Sequence, residues 1–245
     1  LGESFVFTSG KGGTGKSTAV SAIASCLAAL GKRALCMDLD LRLPNLDLIL
    51  GMSDLATLDI SDVAAGRHTL EEAVVEHPKI KGLFLLAGPA MGAEKLTGDR
   101  LAAIVEQAKA KYDYCLIDGP AGLDDLFFLT SKHADSVVVV TTTDATSQRD
   151  AQRTVMELDE LGITHIRLLV NRMRVRMVAH ADINVDDIID FVGVPILGIV
   201  PEDQDVIAAA TRLRPLVLYS RRKAASAFLR VAKRIMGEEI PLKHK

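Results

Sequence analysis

Residues 9–18 read SGKGGTGKST and carry two lysines, Lys11 and Lys16, in one glycine-rich loop. Gly10-x-x-x-x-Gly15-Lys16-Ser17 fits the phosphate-loop pattern G-x-x-x-x-G-K-S/T. Glycines at Gly10, Gly12, Gly13 and Gly15 let backbone N–H groups turn inward around phosphate oxygens. Lys16 reaches the β and γ phosphates, the Ser17 hydroxyl can ligate Mg²⁺, and the start of the following helix adds positive potential. Thr14 and Thr18 complete the stretch expected against a nucleotide. Three carboxylates follow where phosphoryl transfer needs them: Asp38 and Asp40 after RALCM, and Asp118 after DYCLI. Mg²⁺ keeps several of its waters, so carboxylates can hold it through them, while another carboxylate orients the attacking water. None of this gives Lys11 a task.

A phosphate loop has to follow a strand and open a helix. SFVFTS precedes this one, and small and apolar residues run over positions 18–30 after it. Further β-branched runs alternate with helical patterns: RALCMD, GLFLLAG, DYCLID, SVVVVTT, IRLLVN and PILGIVP. That alternation predicts an α/β fold of the P-loop NTPase type, with a mostly parallel central sheet and helices on both faces. The runs at 137–140 and 168–170 are apolar without alternation, as expected of strands buried on both faces. Ligands in such sheets bind beyond the carboxyl ends of the strands, where the loop and the three aspartates fall. No Gly/Ser-rich or Pro-rich linker divides the chain, so residues 1–245 are expected to form a single domain.

Composition narrows the partners. Lys and Arg total 29 against 32 Asp and Glu, a net charge of -3, which supplies no general attraction to nucleic acid or an anionic membrane. No specific nucleic acid is expected. No apolar run approaches the roughly 18 residues of a membrane span, and LGESFVF enters a strand pattern rather than a signal peptide, so the expected location is cytoplasmic. Cys26, Cys36 and Cys115 stand singly in apolar stretches and are expected to be small buried hydrophobes.

With its additional Lys11, the loop KGGTGKST resembles the deviant Walker A motif of the MinD/ParA family of ATPases. NLDLILGM, DGPAG, SQRDAQR, VNR and PEDQDVI, in that order across nearly the whole chain, are similar to signatures of its MinD branch. The resemblance implies ATP and Mg²⁺ as cofactors and a homodimer formed face to face in the ATP state. It implies that Lys16 serves its own nucleotide and Lys11 the partner's, in the manner of an arginine finger. Asp40 is then expected to position the attacking water, and Asp38 and Asp118 to support Mg²⁺ with Ser17. Asn171, beside Arg172, is expected to hydrogen-bond adenine, with Pro201, Glu202 and Asp203 against the base. The implied function is ATP-driven placement of the division septum, with a division inhibitor and an activating protein as partners. Control of flagellar number and DNA partitioning are the alternatives within the same superfamily.

Two stretches depart from the family pattern. After Asp40, family members usually show D-x-G-L-R-N, whereas here Arg42 stands for the glycine and Pro44 for the arginine. In RKAASAFLRVAKRIM, Ala225, Phe228, Leu229, Ala232, Ile235 and Met236 share one helical face and are expected to pack on the core. The chain then closes on GEEIPLKHK, where the family usually continues into a basic amphipathic helix. Membrane contact, at the inner face, is therefore expected only through an anchoring tail absent from this chain.

Overall fold

The computed structural model describes residues 1–41, 44–89, 96–122, 125–174 and 185–242. Strand and helix alternate from the start: β1 (Glu3–Ser9), α1 (Lys16–Ala29), β2 (Ala34–Asp38), then the short helices α2 (Leu46–Leu50), α3 (Ile60–Ala64) and α4 (Leu70–Ala73). β3 (Val75–Glu76), β4 (Leu83–Leu86), α5 (Gly98–Lys109), β5 (Tyr114–Ala121), α6 (Asp125–Lys132), β6 (Ser136–Thr141) and α7 (Ala145–Glu160) follow. β7 (Ile166–Met173), α8 (Val185–Val192), β8 (Ile196–Pro201), α9 (Gln204–Thr211), α10 (Leu216–Tyr219) and α11 (Lys223–Ile235) complete the order. The eight strands form one sheet in the order β3-β4-β2-β5-β1-β6-β7-β8, parallel throughout except for β3 against β4.

Alternate residues of the central strands enter opposite layers, and both layers are apolar. Phe5, Phe7, Val138 and Val140 pack on one face with α1 and α11. Val6 faces the other side with Leu35 and Ile117 over α5, and Val137 and Val139 do so over α7 and α8. This two-sided burial explains why the valine run carries no polar alternation. α1 is buried along most of its length because its residues are small, which lets it lie close between the sheet and α11. All three cysteines are free and buried, and burial pushes the Cys26 and Cys115 thiols up to about 12.

One expected core position differs. Ala225, Phe228, Ala232 and Ile235 of α11 are buried, but Leu229 is 37% exposed. It lines a surface recess together with Cys26 and Ala29 of α1 rather than the closed core. The two-residue β3 is too short to show a period and was not expected.

Candidate nucleotide site

β1 ends at Ser9, whose hydroxyl donates to the Lys11 carbonyl at 2.8 Å and starts the loop's turn. Gly15 caps α1 at φ 88, and a Cβ there would sit 2.3 Å from Asn171 Nδ2, so only glycine fits. From β7, Asn171 Nδ2 donates to the Thr14 carbonyl at 2.9 Å, and Arg172 Nη1 donates to the Gly13 carbonyl at 3.1 Å. Both residues therefore brace the loop. They lie where the pairing of β7 with β8 shifts register, and Arg172 takes φ 53, an uncommon left-handed conformation that aims it at the loop.

The loop after β8 is tied into the same region. Arg174 holds Glu202 through two bonds, at 2.7 and 3.1 Å, with Arg172 3.7 Å from the same carboxylate. Asp203 caps α9 by accepting from the Asp205 amide and also accepts from the Ala224 amide of α11. A cleft of about 610 Å³ opens between these parts. Gly12, Gly13, Thr14, Gly15, Lys16, Ser17 and Thr18 line one wall; Asp40, Asn171, Arg172, Pro201, Glu202 and Asp203 are among the residues lining the rest. Gly10, Lys11, Asp38 and Asp118 are not in its lining.

Beneath the cleft lies a buried acidic pair. Asp38 and Asp118 are register partners on β2 and β5. Lys16 Nζ donates to Asp118 Oδ1 at 2.7 Å, and the Ser17 hydroxyl bonds the same carboxylate. Burial raises the pKa of Asp118 despite the charge of Lys16 and these bonds. Its Oδ2 is buried without a hydrogen-bond partner. Asp38 accepts the Asp40 amide on Oδ1 and the Asn45 and Leu46 amides on Oδ2, at 3.1, 2.9 and 3.0 Å. Burial, and then the charge of Asp118, push it up to about 7 against these three donors. With both oxygens engaged, Asp38 anchors the segment carrying Asp40 and the start of α2. Pro44 lies against Gly88, close enough that a side chain at 88 would collide with it, while Arg42 falls outside the described residues.

Among the described residues no three Asp, Glu, His or Cys side chains converge into a bare metal cage. The donor set fits a Mg²⁺ ion held by the Ser17 hydroxyl, phosphate oxygens and water, with the unpartnered Asp118 Oδ2 ready to accept from such a water. Lys11 leaves the loop on the other side, where its Nζ donates to Asp144 Oδ1 at 3.2 Å. Asp144 caps α7 by accepting from the Ser147 amide, and takes hydroxyl bonds from Thr142 and Ser147. Burial alone would raise its pKa, but these bonds and Lys11 hold it well below the usual carboxylate range.

A profile of the CobQ/CobB/MinD/ParA nucleotide binding domain matches residues 5–216. The chain belongs to this family. Within it the chain stands with the MinD proteins. It is 35% identical to the septum site-determining protein MinD of Bacillus subtilis (strain 168), over 99% of this chain and 92% of that protein. It superposes on MinD from the Aquifex aeolicus MinC:MinD cell division protein complex with a TM-score of 0.92, at 36% identity over 98% of each chain. The Pyrococcus horikoshii OT3 septum site-determining protein MinD complexed with Mg-ADP matches with a TM-score of 0.86, at 29% identity over 96% of each chain.

In this MinD-type site, residues 12–18 of the loop, Asp40, Asn171, Arg172 and the loop at 201–203 share one cleft. Asp144 was not foreseen. Aspartate three places before Ser147 at the start of a helical pattern is a readable cap, but its bond to Lys11 spans 133 positions. Arg174, which fixes Glu202, left no sequence signal.

Proposed function

We propose that the protein is an ATP-hydrolysing, ATP-dependent dimerising regulator of cell division that recruits a division inhibitor to the inner face of the membrane. The observation that carries this reading is the divergence of the two loop lysines, Lys16 turned inward to Asp118 and Lys11 turned outward to Asp144. Binding ATP moves Lys16 from Asp118 to the β and γ phosphates. Asn171 keeps its Oδ1 for the adenine amino group while Nδ2 braces Thr14. Mg²⁺, when bound, neutralises phosphate charge. Asp40 orients the water whose oxygen attacks the γ phosphorus as the bond to the bridging oxygen breaks, giving ADP and phosphate. Asp38 acts from behind, holding the backbone of Asp40 in place. Lys11, being outside its own cleft, supplies its charge to the facing subunit. The MinC in the Aquifex complex supports an inhibitor as partner. No described helix is long and apolar enough to cross a membrane, so contact with one is peripheral in this reading.

Mixing two inactive variants tests the cross-subunit role. Lys11→Ala and Asp40→Ala homodimers each lack part of both sites and should release no phosphate from ATP. In a mixed dimer one site is complete, so the mixture should recover roughly a quarter of wild-type turnover for random two-fold pairing. A mixture that forms dimers, seen by light scattering with ATP, yet stays inactive would refute the role of Lys11 in the partner's site.

A further inference from the structure

A second recess of about 500 Å³ lies away from the nucleotide cleft, between the end of α1, the β3–β4 turn, α10 and α11. Its floor is apolar, with Ile80, Ala225 and Cys26. Leu218 and Leu229, 44% and 37% exposed, stand at its mouth with nothing covering them among the described residues. Three exposed cations, Lys79, Lys81 and Arg221, ring it, and none has an ion-pair partner among the described residues. Apolar anchor sites inside a cationic rim suit a ridge of apolar side chains flanked by carboxylates. The recess is a concavity of a size that a few apolar side chains from one helix would fill. The described C-terminal residues do not fill it, because Arg234 holds the Ile240 and Pro241 carbonyls beside the Leu197 carbonyl of β8.

The recess is also wired to the nucleotide site. Buried His77 accepts the Lys79 and Ile80 amides on Nδ1, each at 3.0 Å. Its proton therefore sits on Nε2, which donates to the Leu50 carbonyl at the end of α2, 3.2 Å away. The other end of α2 is held by Asp38 through the Asn45 and Leu46 amides. Gly51, just past α2, approaches Leu213 so closely that a Cβ would lie 2.3 Å from its carbonyl oxygen, and Leu213 leads into α10. The end of α2 and the glycine after it thus touch the segments leading into both walls of the recess.

We propose that this recess docks an acidic amphipathic helix of a partner protein, and that α2 links its occupancy to the nucleotide state; the linkage rests on the ATP reading above, the docking does not. The probes are dye-labelled helical peptides with leucines at i, i+4 and i+7 flanked by glutamates, followed by fluorescence anisotropy. They should bind, and the same peptides with lysine for glutamate should not. Leu218→Glu combined with Lys79→Glu, both at exposed positions and checked for folding by thermal unfolding, should weaken binding roughly tenfold or more. ATP should change peptide affinity, and the peptide should change ATP affinity by the same factor. Peptide binding indifferent to the double substitution would overturn the docking site. So would phosphatidylglycerol vesicles binding through these residues while the peptides do not. Peptide affinity unchanged by ATP, in a sample shown by direct titration to bind ATP, would overturn the linkage; failure of ATP to bind would instead count against the nucleotide reading.

Discussion

Lys16 and Lys11 leave one loop in opposite directions, and each ends on a carboxylate. The inner pair is sealed: the side chains of Lys16 and Asp118 are 7% and 1% exposed. The outer pair is open, with Lys11 and Asp144 at 39% and 54%. Burial raises the pKa of Asp118, whereas at Asp144 the bonds from Thr142, Ser147 and Lys11 overcome burial and lower it. The same residue types therefore serve different ends. Inside, neither ion has water to fall back on, so each requires the other. Outside, either ion exchanges its partner for water at little cost, as the role proposed for Lys11 in a facing subunit requires.

The largest effect is expected from breaking the inner pair. Lys16→Ala should abolish tight binding of a fluorescent ATP analogue. It should also lower stability by about 3–5 kcal/mol at pH 8, reduced by whatever proton Asp118 takes up, because a buried charge loses its counterion. Urea unfolding reads the second quantity. Adding Asp118→Asn should return part of the stability and none of the ATP binding. If Lys16→Ala alone unfolds like the wild type, the sealed pair is not the lock that its burial implies.

The two environments also separate with pH. Asp38, next to Asp118, is raised by burial to about 7, against about 3.9 for an unfolded chain. Between those values the native state keeps a proton that the unfolded chain has released. Stability should therefore fall as pH rises from about 4 to about 7, by at most about 1.4 kcal/mol per unit for one group, and level off above. Asp118 adds to the same slope, being raised as well. Asp144, lowered, contributes stability that is present above about pH 4 and lost only as pH falls through its depressed pKa. Urea midpoints across this range should show a shallower fall in Asp38→Asn than in the wild type. An unchanged slope would mean that Asp38 does not titrate in this window.

The inner half of this comparison was far more legible in the sequence than the outer half. Phosphate binding fixes residue types within one contiguous stretch, so Gly15, Lys16 and Ser17 declare themselves together. Strands buried on both faces are equally plain, as at 137–140. An acid at the end of β2 was readable too, but not that both Asp38 oxygens would face the amides of its own following segment. Contacts between distant positions leave no local pattern: Asn171 meets Thr14 across 157 residues and Lys11 meets Asp144 across 133. Leu229 fits the helical period of its neighbours and still emerges on the surface, since period gives a direction and not the width of what packs against it.

The smallest effects should come from the outer pair, where cap and charge can be told apart. Asp144→Ala removes the cap of α7 and should cost about 1 kcal/mol, leaving ATP affinity unchanged because Asp144 does not line the cleft. Asp144→Asn keeps an acceptor for the Ser147 amide and removes only the charge facing Lys11, so it should stay within about 0.5 kcal/mol of wild type. Salt then distinguishes the two lysines. At about 1 M the screening length shrinks to roughly 3 Å, and the difference between Asp144→Asn and wild type should vanish, whereas the deficit of Lys16→Ala should persist because its site excludes ions. Thermal unfolding of the three variants at low and high salt makes the measurement. If Asp144→Asn costs as much as Asp144→Ala and the loss survives high salt, the outer pair is a second lock, and Lys11 is held to its own subunit rather than offered to the partner.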